Sequence, residues 1–212
     1  MPSLAEFLAD AQRGCMPVAD GGVTVVPQPS PRDLGVLAFT AHSVVFADVE
    51  PEWVHERLPA DDLSAPLSPP FLQDLAVRTR RHVGTIDLLV LAAPVSGPAP
   101  LPLPLREVTG DGHPRVERAL RHRDAVRVWA AEGGVVTVGR GVAGRWEVAV
   151  EVDPGHRGRG LGRLLAEAAR RLCPGPVWAQ IAPGNAASVR AFLAAGYVPM
   201  GAEVLLTDQE VT

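Results

Sequence analysis

The chain has 212 residues, 47% hydrophobic and 21% charged, which suffices for one large domain or two small ones and is too apolar for a disordered segment. Its formal net charge of -4 excludes nucleic-acid binding driven by bulk electrostatics. All 20 basic residues are Arg, and with 21 Gly and 21 Pro this reads as a bias toward GC-rich codons, so a cluster of Arg is weak evidence for function.

The first ten residues carry Glu6 and Asp10 and no basic, apolar run, so no secretory leader is expected. No apolar stretch reaches the roughly 18 residues of a membrane span, and a cytoplasmic location without a membrane partner is the expectation. Cys15 and Cys173 lie far apart with no ligand-spaced His or Cys nearby, so reduced thiols and no metal are expected. Gly35–Thr40 and Ser43–Ala47 read as a strand pair, Trp53–Leu58 as a short helix. Asp61 and Asp62 read as a solvated loop. In Pro70–Arg81 the residues Phe71, Leu72, Leu75 and Ala76 fall on one helical face, and Ile86–Ala92 suits a buried strand. His42, His55 and His82 fall in different elements and do not read as ligands. Five prolines between Pro94 and Pro104 predict a linker, dividing the chain into an N-terminal mixed α/β region, 1–104, and a second domain, 105–212.

Beyond that division the pattern is more regular. Leu103–Val108 reads as a strand and His113–Arg121 as a helix with Val116 and Leu120 inward. Val126–Ala130 and Val135–Gly139 flank Gly133-Gly134, a hairpin signal. Arg145–Val152 alternates, placing Val148, Val150 and Val152 on one face and Glu147, Ala149 and Glu151 on the other. A helix with Leu161, Leu164, Leu165, Ala168, Ala169 and Leu172 inward and a Glu167–Arg171 pair outward follows. Then come a strand at Val177–Ile181, a helix at Ala186–Ala195 closed by Gly196, and one or two strands in Tyr197–Thr207. This order implies an α/β (α+β) layer around a mixed central sheet flanked by helices.

The chemistry concentrates where the alternating strand meets the first of these helices. Asp153-Pro154 ends the strand, and Gly158, Gly160 and Gly162 lead into the helix with Arg157, Arg159 and Arg163 among them. Glycines permit left-handed backbone and close ligand approach, while a helix N-terminus offers free amides and about half a positive charge. Such an assembly suits a diphosphate. A P-loop would need Gly-Lys-Ser/Thr where this chain has Gly162-Arg163-Leu164, and the third glycine comes one residue early for a dinucleotide fold.

The run Val-Asp-Pro-x-x-Arg-Gly-x-Gly-x-Gly resembles the acetyl-CoA motif of the GNAT (GCN5-related N-acetyltransferase) superfamily. The stretch from Asn185 through Ser188 and Phe192 to Gly196-Tyr197 resembles that family's next motif. The likeness covers about residues 105–207 and implies the GNAT fold. It further implies that Arg157, Gly158, Arg159, Gly160, Leu161, Gly162 and Arg163 hold the diphosphate of acetyl-CoA. Val150 and Val152 would pair with its pantetheine arm, and Asn185, Ser188 and Phe192 would lie on the cofactor side. The reaction implied is transfer of an acetyl group to a primary amine of a small molecule or peptide. Neither metal nor nucleic acid would take part, and assembly as a homodimer stays open. Glu151 and Glu147 are the candidate bases. Family members often carry a Tyr as general acid where this chain has Phe192, whereas Tyr197 is expected to be buried. An acyl-CoA-binding module without turnover is therefore the alternative.

Overall fold

The computed structural model describes residues 2–97, 101–110 and 112–208; Pro98, Ala99 and Pro100 of the expected linker lie outside them. The chain divides into two compact units, one formed by residues 1–89 with 200–212 and one by residues 90–199. This division differs from the one expected at 104/105, because the last strand returns to the first unit and the Pro-rich stretch falls inside the second.

The first unit opens with α1, Leu4–Gln12, which the sequence pattern did not single out. Its start is nevertheless encoded: Ser3 accepts the Glu6 amide, and the Glu6 carboxylate accepts the Ser3 amide. Strands β1 (Val23–Val26), β2 (Gly35–Phe39) and β3 (His42–Phe46) follow, then α2 (Pro51–His55), α3 (Pro69–Thr79) and β4 (His82–Ala92). The strand order here is β1-β3-β2-β10-β4, with β10 spanning Val198–Thr207. β2 and β3 form the expected antiparallel pair, β1 joins β3 in parallel, and β10 runs antiparallel to β2. Phe71, Leu72, Leu75 and Ala76 share the buried face of α3, as their spacing predicts, and pack with Val36, Val45 and Val204. Gly35 is required by close approach, since a Cβ there would lie 2.1 Å from the Val204 carbonyl oxygen.

In the second unit the order is β4-β9-β8-β7-β6-β5, from β5 (Arg106–Val108), β6 (Asp124–Ala131), β7 (Gly134–Arg140), β8 (Trp146–Val152) and β9 (Val177–Ile181). β5 to β8 are an antiparallel meander, and β8 to β9 is parallel, so the sheet is mixed as expected. The β6–β7 turn is Glu132-Gly133, one residue earlier than the Gly133-Gly134 expected. Helix α4 (Pro114–His122) packs on β6, β7 and β8, helix α5 (Leu161–Leu172) packs on β7 and β8, and α6 (Ala186–Ala194) lies on α5.

Two local expectations need correction. Leu120 is exposed, because α4 presents Val116 and Ala119 to the sheet three residues apart. Glu167 reaches back one turn to Arg163 at 4.0 Å, whereas the Arg171 Nε is buried without a hydrogen-bond partner among the described residues.

Candidate active site

The site begins with an interruption in strand pairing. β8 and β9 pair at Trp146–Val177 and Glu147–Trp178, and among the described residues their pairing goes no further than Glu147. The Asp153 amide donates to the Gly133 carbonyl at 2.9 Å. Antiparallel neighbours alternate between hydrogen-bonded and open pairs, so Glu151, Ala149 and Glu147 direct their backbone groups toward β7. Val150 and Val152 therefore point theirs to the other side, where β9 has diverged. That edge resembles an unfilled place for one more strand. Only the Val152 carbonyl is engaged there among the described residues, accepting from Arg157 Nε at 3.1 Å.

Past β8 the chain makes a 3-10 turn, Pro154–His156, and enters α5 through Gly158 (φ +75°) and Gly160 (φ +84°). Both are left-handed, which glycine adopts without steric cost. Neither has an atom within 4 Å of where a Cβ would stand, so the space before them is open. Gly160 is the N-cap of α5 and supplies no side chain to its amides. The N–H groups of residues 158–163 have no protein acceptor among the described residues. Such a row of free donors at a helix start, flanked by Arg157, Arg159 and Arg163, is suited to bind an anion. Gly162 lies deeper, 3.7 Å from both Val152 Cγ2 and Ala191 Cβ by its missing Cβ, and joins the strand, the helix and α6 at one point.

Asn185 caps α6, accepting the Ser188 amide at 3.1 Å, which is the ordinary reason for Asn at that position. Phe192 is buried and meets Tyr197 edge-on, ring centroids 4.9 Å apart. The Tyr197 hydroxyl donates to the Ala166 carbonyl at 3.1 Å, and burial pushes its pKa far up. Tyr197 is thus a packing residue that cannot replace a hydroxyl missing at Phe192. We expect Tyr197→Phe to lower stability by about 1 kcal/mol, the net value of one buried hydrogen bond, and to leave cofactor affinity unchanged. Thermal melts with and without ligand check both.

The two carboxylates of β8 share a face but not an environment. Glu147, one of the two candidate bases, is 3% exposed. Its Oε2 accepts from Arg123 Nε at 2.9 Å, and its Oε1 accepts from Arg145 Nε at 2.8 Å and the Val142 amide at 3.2 Å. Burial by itself would raise its pKa, but the guanidiniums of Arg145 and Arg123 reverse this and hold it at about 2. A carboxylate so placed is a poor proton acceptor at neutral pH, and its role is to neutralise buried charge. Glu151 is half-buried and accepts from Arg115 Nε at 3.0 Å. Arg115, Arg123 and Arg145 were not foreseen; the first two flank the ends of α4, a tertiary neighbour of β8 that strand alternation cannot reveal.

A cavity of about 220 Å³ lies in the first unit, but its imidazoles are committed. His42 is held between Asp20 Oδ1 at 2.8 Å and Thr24 Oγ1 at 3.0 Å, and His55 Nε2 lies 3.1 Å from the Val23 carbonyl. No group of three His, Cys, Asp or Glu suited to a metal ion occurs among the described residues. No helix among them is long and apolar enough to cross a membrane.

Residues 104–197 match the model of the Acetyltransferase (GNAT) family. No curated protein matches the chain. Among solved structures, the chain is similar to a GCN5-related N-acetyltransferase from Kribbella flavida at 19% identity and TM-score 0.42, covering 66% of this chain and 64% of that one. It is similar to a GNAT-family acetyltransferase from Colwellia psychrerythraea at 9% identity and TM-score 0.42, covering 66% and 63%. A GNAT-family protein from Novosphingobium aromaticivorans matches at 16% identity and TM-score 0.40, covering 61% and 68%. The chain thus spans just under two thirds of the length of the first two. The family model lies across the meander, the glycine turn and the Asn-capped helix alike, and it is in residues 104–197 that the chain resembles the GNAT acetyltransferase family.

Proposed function

We propose that this chain binds acetyl-CoA at the β8–α5 turn and transfers the acetyl group to a primary amine of a small molecule or peptide. The observation that carries this reading is the row of free amides at residues 158–163 standing beside the unpaired edge of β8. The amides and the three arginines suit a diphosphate, and the Val150 and Val152 backbone groups suit the amides of a pantetheine arm. The cofactor, when bound, supplies an activated acyl thioester. Everything else falls to the side chains of this protein.

Glu151 is the carboxylate left to take a proton from the amine, directly or through water, with Arg115 holding it in one orientation. Phe192 has no proton to give to the departing thiolate, and a thiol pKa near 8.5 makes that tolerable at neutral pH. Glu151→Gln should lower kcat/KM about 10²–10⁴-fold near pH 7 and by less at high pH, where the amine is already neutral. Phe192→Tyr should keep or raise turnover. Profiles of rate against pH for both variants check this; a Glu151→Gln profile that overlays the parent removes the carboxylate from the mechanism.

Binding is tested separately from turnover. Acetyl-CoA at one hundred times its Kd should stabilise the fold by about 2.7 kcal/mol, raising Tm, because it binds only the folded state. Phe192 favours a second reading, an acyl-CoA-binding module without turnover. Under it the Tm rise persists while no amine provokes thiol release. The absence of any Tm rise would refute both readings.

A further inference from the structure

We propose that His156 is a positioning residue for the phosphate-binding turn, seated on Gly133 of the β6–β7 turn, so that this hairpin sets the affinity for the cofactor. The inference rests on the reading of the β8–α5 turn as the CoA site. His156 closes the 3-10 turn directly before Arg157, and its amide donates to the Asp153 carbonyl at 2.8 Å. The Asp153 amide in turn donates to the Gly133 carbonyl at 2.9 Å, tying the start of this turn to the hairpin.

The ring makes the second tie. A Cβ built on Gly133 would lie 2.1 Å from His156 Cγ, 2.4 Å from Cδ2 and 2.5 Å from Nδ1, so the imidazole lies on the bare backbone of the hairpin. Its Nδ1 is sealed from solvent and has no polar partner among the described residues. The ring is therefore held by fit and not by a hydrogen bond. Gly133 has φ +79°, so the turn needs glycine there twice, for its backbone and for the ring. The next glycine does the same for the helix. A Cβ on Gly134 would meet the Glu151 carbonyl oxygen at 2.7 Å and Leu165 Cδ1 at 3.0 Å, so α5 lies close on β7 there.

Two adjacent glycines thus support the two sides of the anion site, the turn through His156 and the helix through Leu165. Among the described residues the amides of 158–163 make no hydrogen bonds to the protein, so their convergence depends on how the flanking segments are held. Removing the ring frees the N-terminal flank, and the amides lose the alignment that lets them share one diphosphate.

The test is calorimetric titration of the full chain with CoA. His156→Ala should weaken CoA binding about ten-fold, an effect of about 1.4 kcal/mol, with little change in the Tm of the free protein. His156→Phe, which keeps a flat ring on Gly133, should restore affinity to within about two-fold of the parent. Gly133→Ala should weaken binding at least as much as His156→Ala, and Gly133→Ala with His156→Gly should recover part of that loss, since the added methyl then has room. A parent that binds CoA and a folded His156→Ala that binds it equally well overturn the seat and leave the cofactor site standing. A parent that binds no CoA overturns both. Equal loss in the Phe and Ala variants also overturns the seat, because packing would then not be what His156 contributes.

Discussion

Gly160→Asp should fold with a small loss of stability and lose the rise in Tm that CoA gives the parent. The position is left-handed, φ +84°, a conformation that Asp tolerates better than most residues, and a Cβ there meets nothing within 4 Å. Gly160 is also the N-cap of α5, but its left-handed backbone is not the extended one from which an Asp side chain accepts the next amides, so the carboxylate does not act as an ordinary cap. The variant instead puts a side chain and a negative charge beside the amides assigned to the diphosphate. An affinity loss of about 100-fold is expected from one like charge in the space of the anion. Differential scanning fluorimetry with saturating CoA measures it. A folded variant with the parent's shift places the diphosphate elsewhere.

The largest effect on stability should come from Glu147→Gln. The substitution keeps the shape but removes the carboxylate charge that the Arg123 and Arg145 side chains, 11% and 1% exposed, share. Removing one partner from a buried ionic cluster costs about 3–5 kcal/mol, which corresponds to a fall in Tm of about 10 °C for a chain of this size. The pH dependence has a definite sign. Glu147 has its pKa depressed from 4.5 to about 2 by folding, so its stabilisation is present above 4.5 and is lost as pH falls toward 2. The gap between parent and Glu147→Gln should thus be widest at neutral pH and close across that window. Urea midpoints at several pH values report it. A variant as stable as the parent at pH 7 would show that the cluster contributes nothing net.

The contrast between these two positions shows how much of the site can be read from sequence. The glycine turn is legible because its requirements are local: positive φ at Gly158 and Gly160, free amides at a helix start, and a strand that ends at Pro154. The state of Glu147 is not legible. Alternation along β8 assigns its face correctly, but depth depends on Arg123, which lies 24 residues away, and on α4 covering that face. Gly141 belongs to the same cluster, since a Cβ there would stand 2.2 Å from the Glu147 carboxyl carbon, yet in sequence it looks like any turn glycine. Gly133 read as a hairpin signal, and only the structure shows a ring from the phosphate turn lying on it.

At the level of the fold, the strands and helices of residues 124–194 follow their periodicities closely. The misses have distinct causes. For α1 the only local signal is Ser3 and Glu6 at capping-box spacing. β1 has four residues and is followed by Pro27, too short for alternation to register. The return of residues 200–208 to pair with β2 is a long-range contact, which local pattern does not encode. Placing a boundary at the prolines therefore cut the chain where composition changes and not where its compact units divide.

The central claim, that the β8–α5 site delivers an acyl group to an amine, is tested most directly by following thiol release from acetyl-CoA against a panel of amines. The panel should include peptide N-termini, polyamines and aminoglycosides, with the acetylated product identified by mass spectrometry. At least one amine should accelerate thiol release in one-to-one step with appearance of its acetylated form, and Gly160→Asp should abolish both. Binding of acetyl-CoA without amine-dependent release across the panel would contradict transfer, and leave a module that binds the cofactor and does no chemistry with it.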